Sequence, residues 1–269
     1  MTGLLTREVR SELVRSRRRG VLLGWLGLTA VFTLLVNSIM YGVVADAPTS
    51  AAQGPGVAFP TLSELQSVDG LTAGVATAAN MLGLVTLAFW AVLTGTDHST
   101  GVLRLLASAQ PRRWRLALGK ALALSVWTLV ASALALVLNV AVAPAAARAA
   151  GVDTSTWEAV TAADLGQVWV RLSACLLVWG VLGQLVATAS RSAAVAVSLG
   201  AGWVLLVEGV VGAALEDVAR WMPGATLTAL AQGGTAEVSF TTALALGAGY
   251  ASLGLVASAL LLARRDVTD

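Results

Sequence analysis

Apolar residues fall along this chain in six long blocks, each bounded by polar or charged residues: Gly20–Val44, Leu71–Leu93, Ala117–Val142, Val168–Ala189, Ala193–Ala214 and Thr241–Ala263. Each exceeds the roughly 20 residues an α-helix needs to cross a hydrocarbon layer about 30 Å thick. The pattern predicts an all-α fold, a polytopic membrane protein whose single transmembrane domain of six helices fills the chain. Only Ser190-Arg191-Ser192 separates the fourth and fifth blocks, so those two helices form a tight hairpin.

The polar stretches predict shorter elements. Leu5, Val9 and Leu13 recur among Arg7, Arg10, Glu12, Arg17 and Arg18. Residues 1–19 therefore predict a basic amphipathic helix in the headgroup layer. It is either a plain positive anchor or an elbow that also touches a cytoplasmic partner. Arg17–Arg19 before a greasy run, with Ala45-Asp46-Ala47 after it, resembles a secretory signal. The run outlasts the roughly 7–15 apolar residues of a signal core, so it reads as the first span. In the polar loop Asp46–Gly70, Thr61-Leu62-Ser63-Glu64 matches a capping box opening a short surface helix. Ser155-Thr156-Trp157-Glu158 is a second match in the outer loop Pro144–Gln167, where Trp157 would sit at headgroup level. In the outer segment Leu215–Ser239, Pro223–Ala231 predicts a helix closed by Gly233 and Gly234. That helix either lies on the surface or re-enters the membrane, where it has to be buried in protein.

The loop Thr94–Lys120 is the least ordinary. Asp97 or Ser99 would cap a helix over Gly101–Ala109, with Val102, Leu103, Leu105, Leu106 and Ala109 apolar and Arg104 and Ser108 polar. Pro111 ends it, because proline disfavours helical geometry at Gln110. Arg112, Arg113, Arg115 and Lys120 follow. A short helix with an apolar side, pinned to a membrane surface by arginines, is a docking element. Residues 95–116 are read as a cytoplasmic coupling loop.

Composition sharpens this picture. The chain of 269 residues is 57% hydrophobic and 12% charged, with a mean hydropathy of +0.80. Soluble domains carry about 25% charged residues. Of the seventeen Lys and Arg, fourteen lie on the amino-terminal side of the predicted spans and only Arg148, Arg171 and Arg220 on the other. That asymmetry places both termini in the cytoplasm of a multi-pass cell-membrane protein. Trp157, Trp169 and Trp221 near the outer ends, and Trp90 and Trp114 near the inner ends, read as interface anchors. The one cysteine, Cys175, excludes an internal disulfide, and the one histidine, His98, is read as a solvated loop residue. The only lysine, Lys120, follows Gly119, but Trp114 stands where a phosphate-binding loop needs its first glycine. No ATP site of that kind, no cofactor on this chain and no nucleic-acid partner is expected; the bilayer is.

Two opposite charges fall inside spans. Counted from Arg191, Arg171 lies 20 residues up the fourth span and Glu208 17 up the fifth. At ~1.5 Å per residue their heights differ by about 5 Å, within reach of an arginine. Either the two pair in the outer third, or Arg171 reaches the outer headgroups while Glu208 lines a wet vestibule. Asn37, Asn80, Asn139 and Gln184 are read as makers of interhelical hydrogen bonds.

Taken in order over the whole chain, these features resemble an ABC-2-type ABC transporter permease. The resemblance rests on the basic amino-terminal helix and on the run Asp97-x-x-x-Gly101-x-Leu103-Arg104-x-Leu106…Pro111-x-Arg113…Lys120. It rests also on the tight hairpin, on Glu208 followed by Trp221-Met222-Pro223, and on the closing Arg264-Arg265-Asp266. One departure is Asp97, where such permeases often carry glutamate. The resemblance implies a transport subunit without catalysis of its own. Two permeases, identical or not, would each dock on a separate ATPase that holds ATP and Mg. Asp97, Gly101, Leu103, Arg104, Leu105, Leu106, Pro111 and Arg113 would couple to that ATPase, and Trp221 and Pro223 would belong to an outer gate. Substrates in the family are amphipathic drugs, lipids or polysaccharides. An ion-coupled secondary transporter is the rival. It predicts midplane charges and inverted repeats, whereas Arg171 and Glu208 lie nearer the outer edge and no repeat is evident. A permease serving immunity or sensing would share the same architecture.

Overall fold

The apolar blocks are helical in the structure, a computed structural model that describes residues 2–46, 53–54, 57–109 and 113–264. In chain order the helices are α1 (Thr2–Ser16), α2 (Arg19–Asp46), α3 (Leu62–Leu65), α4 (Ala73–Ser99), α5 (Val102–Ala109), α6 (Trp114–Ala149) and α7 (Ala162–Ser190). After them come α8 (Ala193–Gly202), a π-helical stretch (Trp203–Val207), α9 (Glu208–Ala214), α10 (Glu216–Ala219), α11 (Pro223–Gln232) and α12 (Phe240–Arg264). A two-residue antiparallel ladder, β1 (Gln53–Gly54) with β2 (Val57–Ala58), precedes α3. Six helices are long and apolar enough to cross a membrane, as expected of a multi-pass membrane protein.

Helix ends depart from the apolar pattern where local chemistry decides. The alanine-rich run after Val142 continues α6 through Pro144 to Ala149, since alanine is the best helix former. The outer loop is correspondingly short. Its capping box forms at Thr161 and Asp164, which open α7; Ser155–Ala159 is a 3-10 turn without a side-chain cap. The box at Thr61 and Glu64 forms as the sequence predicts. Trp157 is buried, and its indole N–H donates to the Leu65 carbonyl at 3.0 Å, tying this loop to α3.

The centre of the bundle is the seam between α4 and α7. Gly83 of α4 lies under the Trp179 indole of α7, and Gly180 of α7 lies under the Trp90 indole of α4; a Cβ at either glycine would overlap the ring. Trp90 is fully buried and donates to Thr128 Oγ1 on α6 at 3.0 Å, so it is a core residue and not an interface anchor. Trp25 of α2 stacks on Phe89 with centroids 4.1 Å apart. Asn139 donates to the Leu71 carbonyl at 2.8 Å and Gln184 to the Ala117 carbonyl at 3.0 Å, both between helices; Asn37 instead bonds within its own helix, to the Thr33 carbonyl at 2.8 Å. Leu23, Val31, Val137, Leu206, Leu253 and Val256 are exposed, a flank suited to lipid tails and not to water.

The segment between the fifth and sixth spans is not a surface loop. Pro223 opens α11 at the position where its missing N–H costs nothing, and Gly233, at φ +83°, closes it in the left-handed region. Thr226, Leu227 and Leu230 are buried, and α11 packs against α4, α7 and α12. The helix is thus held back inside the bundle, its backbone enclosed by protein.

Candidate functional site

At the end of the bundle that carries α5, the chain turns on Gly101, whose φ of +71° ends α4 and starts α5. Ser99 Oγ and Thr100 Oγ1 donate to the Thr96 carbonyl at 3.1 and 2.7 Å, closing α4. Asp97 and Ser99 are therefore the last turn of α4 and not caps of α5, a correction to the sequence reading. His98 likewise lies in that turn, lining a narrow cavity with Leu103, Leu106, Leu116 and Leu262. Two leucines of α5 thus seat the helix on the bundle, whereas Leu105 is 73% exposed. Arg104 falls in the first turn of α5 and Arg113 immediately before α6. Pro111 and Arg112 lie outside the described residues.

Beneath α5 four charges from three helices converge. Lys120 of α6 is 8% exposed. Its Nζ lies 2.5 Å from Asp97 Oδ2 of α4 and 3.8 Å from Glu12 Oε2 of α1, and it donates to the Leu93 carbonyl at 3.2 Å. Arg15 pairs with Glu12, and its Nη1 is 3.9 Å from Asp97 Oδ2. Trp127 donates to Ser16 Oγ at 2.9 Å, so α1 runs along α6 with Glu12 and Ser16 buried. A cleft of about 200 Å³ opens beside these groups, lined also by Arg18, Thr96 and Val102. The two positive and two negative side chains offset one another, which is what keeps ionised groups tolerable at low exposure. Asp97, expected at the docking face, is directed into this cluster. The clues in the sequence were the single lysine and an acidic residue, Glu12, among the arginines of the first helix, but nothing in the spacing links them.

A second constellation stands toward the opposite end, around α11. The π-helical stretch brings Trp203 and Glu208, five residues apart, to one side of the helix. Trp203 Nε1 and the Gly224 backbone N–H both donate to Glu208 Oε1, at 2.7 and 2.8 Å. Gly224 is the second residue of α11, and a Cβ there would run into the Glu208 carboxylate. Arg171 donates to Gln167 Oε1 at 3.3 Å, stands over the Phe240 ring at 5.3 Å, and lies against Gly233 at the far end of α11. The predicted Arg171–Glu208 pair does not form: among the described residues no ion pair joins them, because the two charges address opposite ends of α11. Glu208 is part-buried and bonded to protein. Trp221, whose carbonyl accepts from Tyr250 Oη at 2.7 Å, and Pro223 stand at the entrance to α11.

The chain matches no family model and no curated protein. What the two constellations do follows from their own geometry. The first couples α1, α4 and α6 through buried charges and presents α5 beside them. The second fixes a short helix inside the bundle by its ends.

Proposed function

We propose that this chain is the membrane permease subunit of an ATP-driven exporter of the ABC-2 type. It sits in the cell membrane with both termini cytoplasmic, works with a second permease copy, and docks on a separate ATPase that holds ATP and Mg. It moves an amphipathic drug-like, lipid or polysaccharide substrate outward. The observation that carries this reading is α5, seated on the bundle by Leu103 and Leu106 and offering Leu105 outward. Pressure on α5 reaches α4 directly, and the Lys120–Asp97 and Lys120–Glu12 contacts tie α4 to α6 and α1. A partner that closes on ATP binding would therefore move three helices together.

The test separates docking from folding. Leu103 and Leu106 face the bundle, so charging them would damage the fold as well as any interface. Leu105→Asp changes only an exposed position. A tagged parent chain, gently solubilised from its native cell, is expected to bring down an ATPase with a phosphate-binding loop. Leu105→Asp, at equal membrane level, is expected to lose it. A parent chain that recovers no ATPase under conditions preserving such complexes would sink the reading and leave the ion-coupled transporter as the better one.

A further inference from the structure

We propose that Glu208 and Arg171 act as a two-ended clamp on α11, one charge at each terminus, that sets how often this helix leaves its seat in the bundle. The clamp rests on geometry alone; that the segment serves as an outer gate is what the permease reading implies.

A helix carries partial positive charge at its N-terminus, where N–H groups lack partners, and partial negative charge at its C-terminus. Glu208 stands at the first, accepting from the Gly224 N–H. Arg171 stands at the second, against Gly233, the residue that closes the helix. Each charge has the sign that its helix end favours. Neighbouring groups hold both in place: Trp203 donates to the Glu208 carboxylate, and Gln167 accepts from Arg171 while the Phe240 ring lies beneath the guanidinium. The missing side chains at Gly224 and Gly233 let the charges approach the backbone. A carboxylate and a guanidinium within spans are costly unless paired, and here a helix, not the opposite side chain, supplies the complement.

The segment is also built to move. Before α11 the chain passes through Leu215, where the helix breaks, and α10, which packs chiefly on α9; Leu215, Val218 and Trp221 are exposed. After it come Gly233 and Gly234, both with positive φ. The linker before α11 is the looser of the two, because after it Val238 is buried and hydrogen-bonded with Thr235. A compact helix fastened at its ends and reached through an exposed linker has the form of a latch.

The experiment reads how often α11 leaves its seat. Thr226 is fully buried on α11, and Cys175 is fully buried on α7. Full-length protein carrying Thr226→Cys and Cys175→Ala is placed in lipid nanodiscs without nucleotide or partner, and labelled with a charged maleimide. The parent should react slowly. Glu208→Ala and Arg171→Ala should each speed labelling about tenfold, in line with the loss of a partly buried charge–helix contact. Glu208→Gln, whose amide oxygen still accepts from Gly224 and Trp203 but carries no charge, should label faster than the parent and more slowly than Glu208→Ala; a parental rate would overturn the charge's part in the clamp. The exchange Glu208→Arg with Arg171→Glu should label faster than either alanine variant, since each end of α11 then meets its own sign. Parental rates in both alanine variants, or in the exchanged protein, would overturn the clamp; the second result would mean that the two side chains pair directly. The same variants carrying only Cys175 should stay unlabelled. Reaction there at the accelerated rate would mean general unfolding and would also overturn it. Because no ATPase takes part, the clamp stands or falls separately from the docking test.

Discussion

Lys120 is the side chain on which the α5 end of the bundle depends most. Its ammonium is 2.5 Å from Asp97 and 3.8 Å from Glu12, at an exposure where water screens little. Removing one member of such a set leaves the others buried and uncompensated, which costs about 3–5 kcal/mol. Lys120→Met is therefore expected to lower stability by that order, read as the midpoint of thermal unfolding in detergent. Adding Asp97→Asn should recover most of the loss, since Glu12 still has Arg15. Losses that simply add in the double variant would show that the groups do not act as a set. None of this was legible from position alone. Glu12, Asp97 and Lys120 are remote in the chain; Glu12 and Asp97 taken singly read as surface charges beside a span, and Lys120 as a basic residue just inside the end of the third. The burial that joins them comes from α1 lying along α6, which no local periodicity encodes.

Among the elements, the α4–α7 seam governs how closely the bundle closes. Two tryptophans fill the space left by two glycines in a reciprocal fit, so an added methyl has nowhere to go. Gly83→Ala and Gly180→Ala are each expected to cost about 1–3 kcal/mol, the range for overpacking a filled core. Gly27→Ala on α2, where a Cβ meets nothing within 4 Å, should be neutral or gain up to about 1 kcal/mol from helix propensity. Equal melting temperatures for all three would mean that the seam adjusts freely. The spans themselves were plain in the sequence, because uninterrupted apolar runs of that length between arginines are stable in a bilayer and not in water. So were α5 and α11 as short helices, marked by Pro111 and by the Pro223…Gly233 punctuation. What α11 does was hidden. Similar heights on neighbouring helices suggested that Arg171 and Glu208 meet, and height alone cannot reveal a third helix whose two ends receive the two charges.

For the whole molecule, the distribution of charge makes a claim about orientation. The end with α5 gathers Glu12, Arg15, Arg18, Asp97 and Lys120, while the turn between α6 and α7 carries Asp153 and Glu158. With fourteen basic residues on the amino-terminal side against three on the other, the α5 end is expected to face the cytoplasm. Asp153 and Thr100 are both exposed at opposite ends, so each takes a cysteine without disturbing the core. In intact cells a membrane-impermeant maleimide should label Asp153→Cys and leave Thr100→Cys untouched until the membrane is opened. The reverse pattern would turn the molecule over. It would place α5 where no cytoplasmic ATPase can reach it, and export driven through that helix would no longer be mechanically possible. Orientation is therefore the cheapest measurement on which the coupling role of α5 depends, and it needs neither the substrate nor the partner in hand.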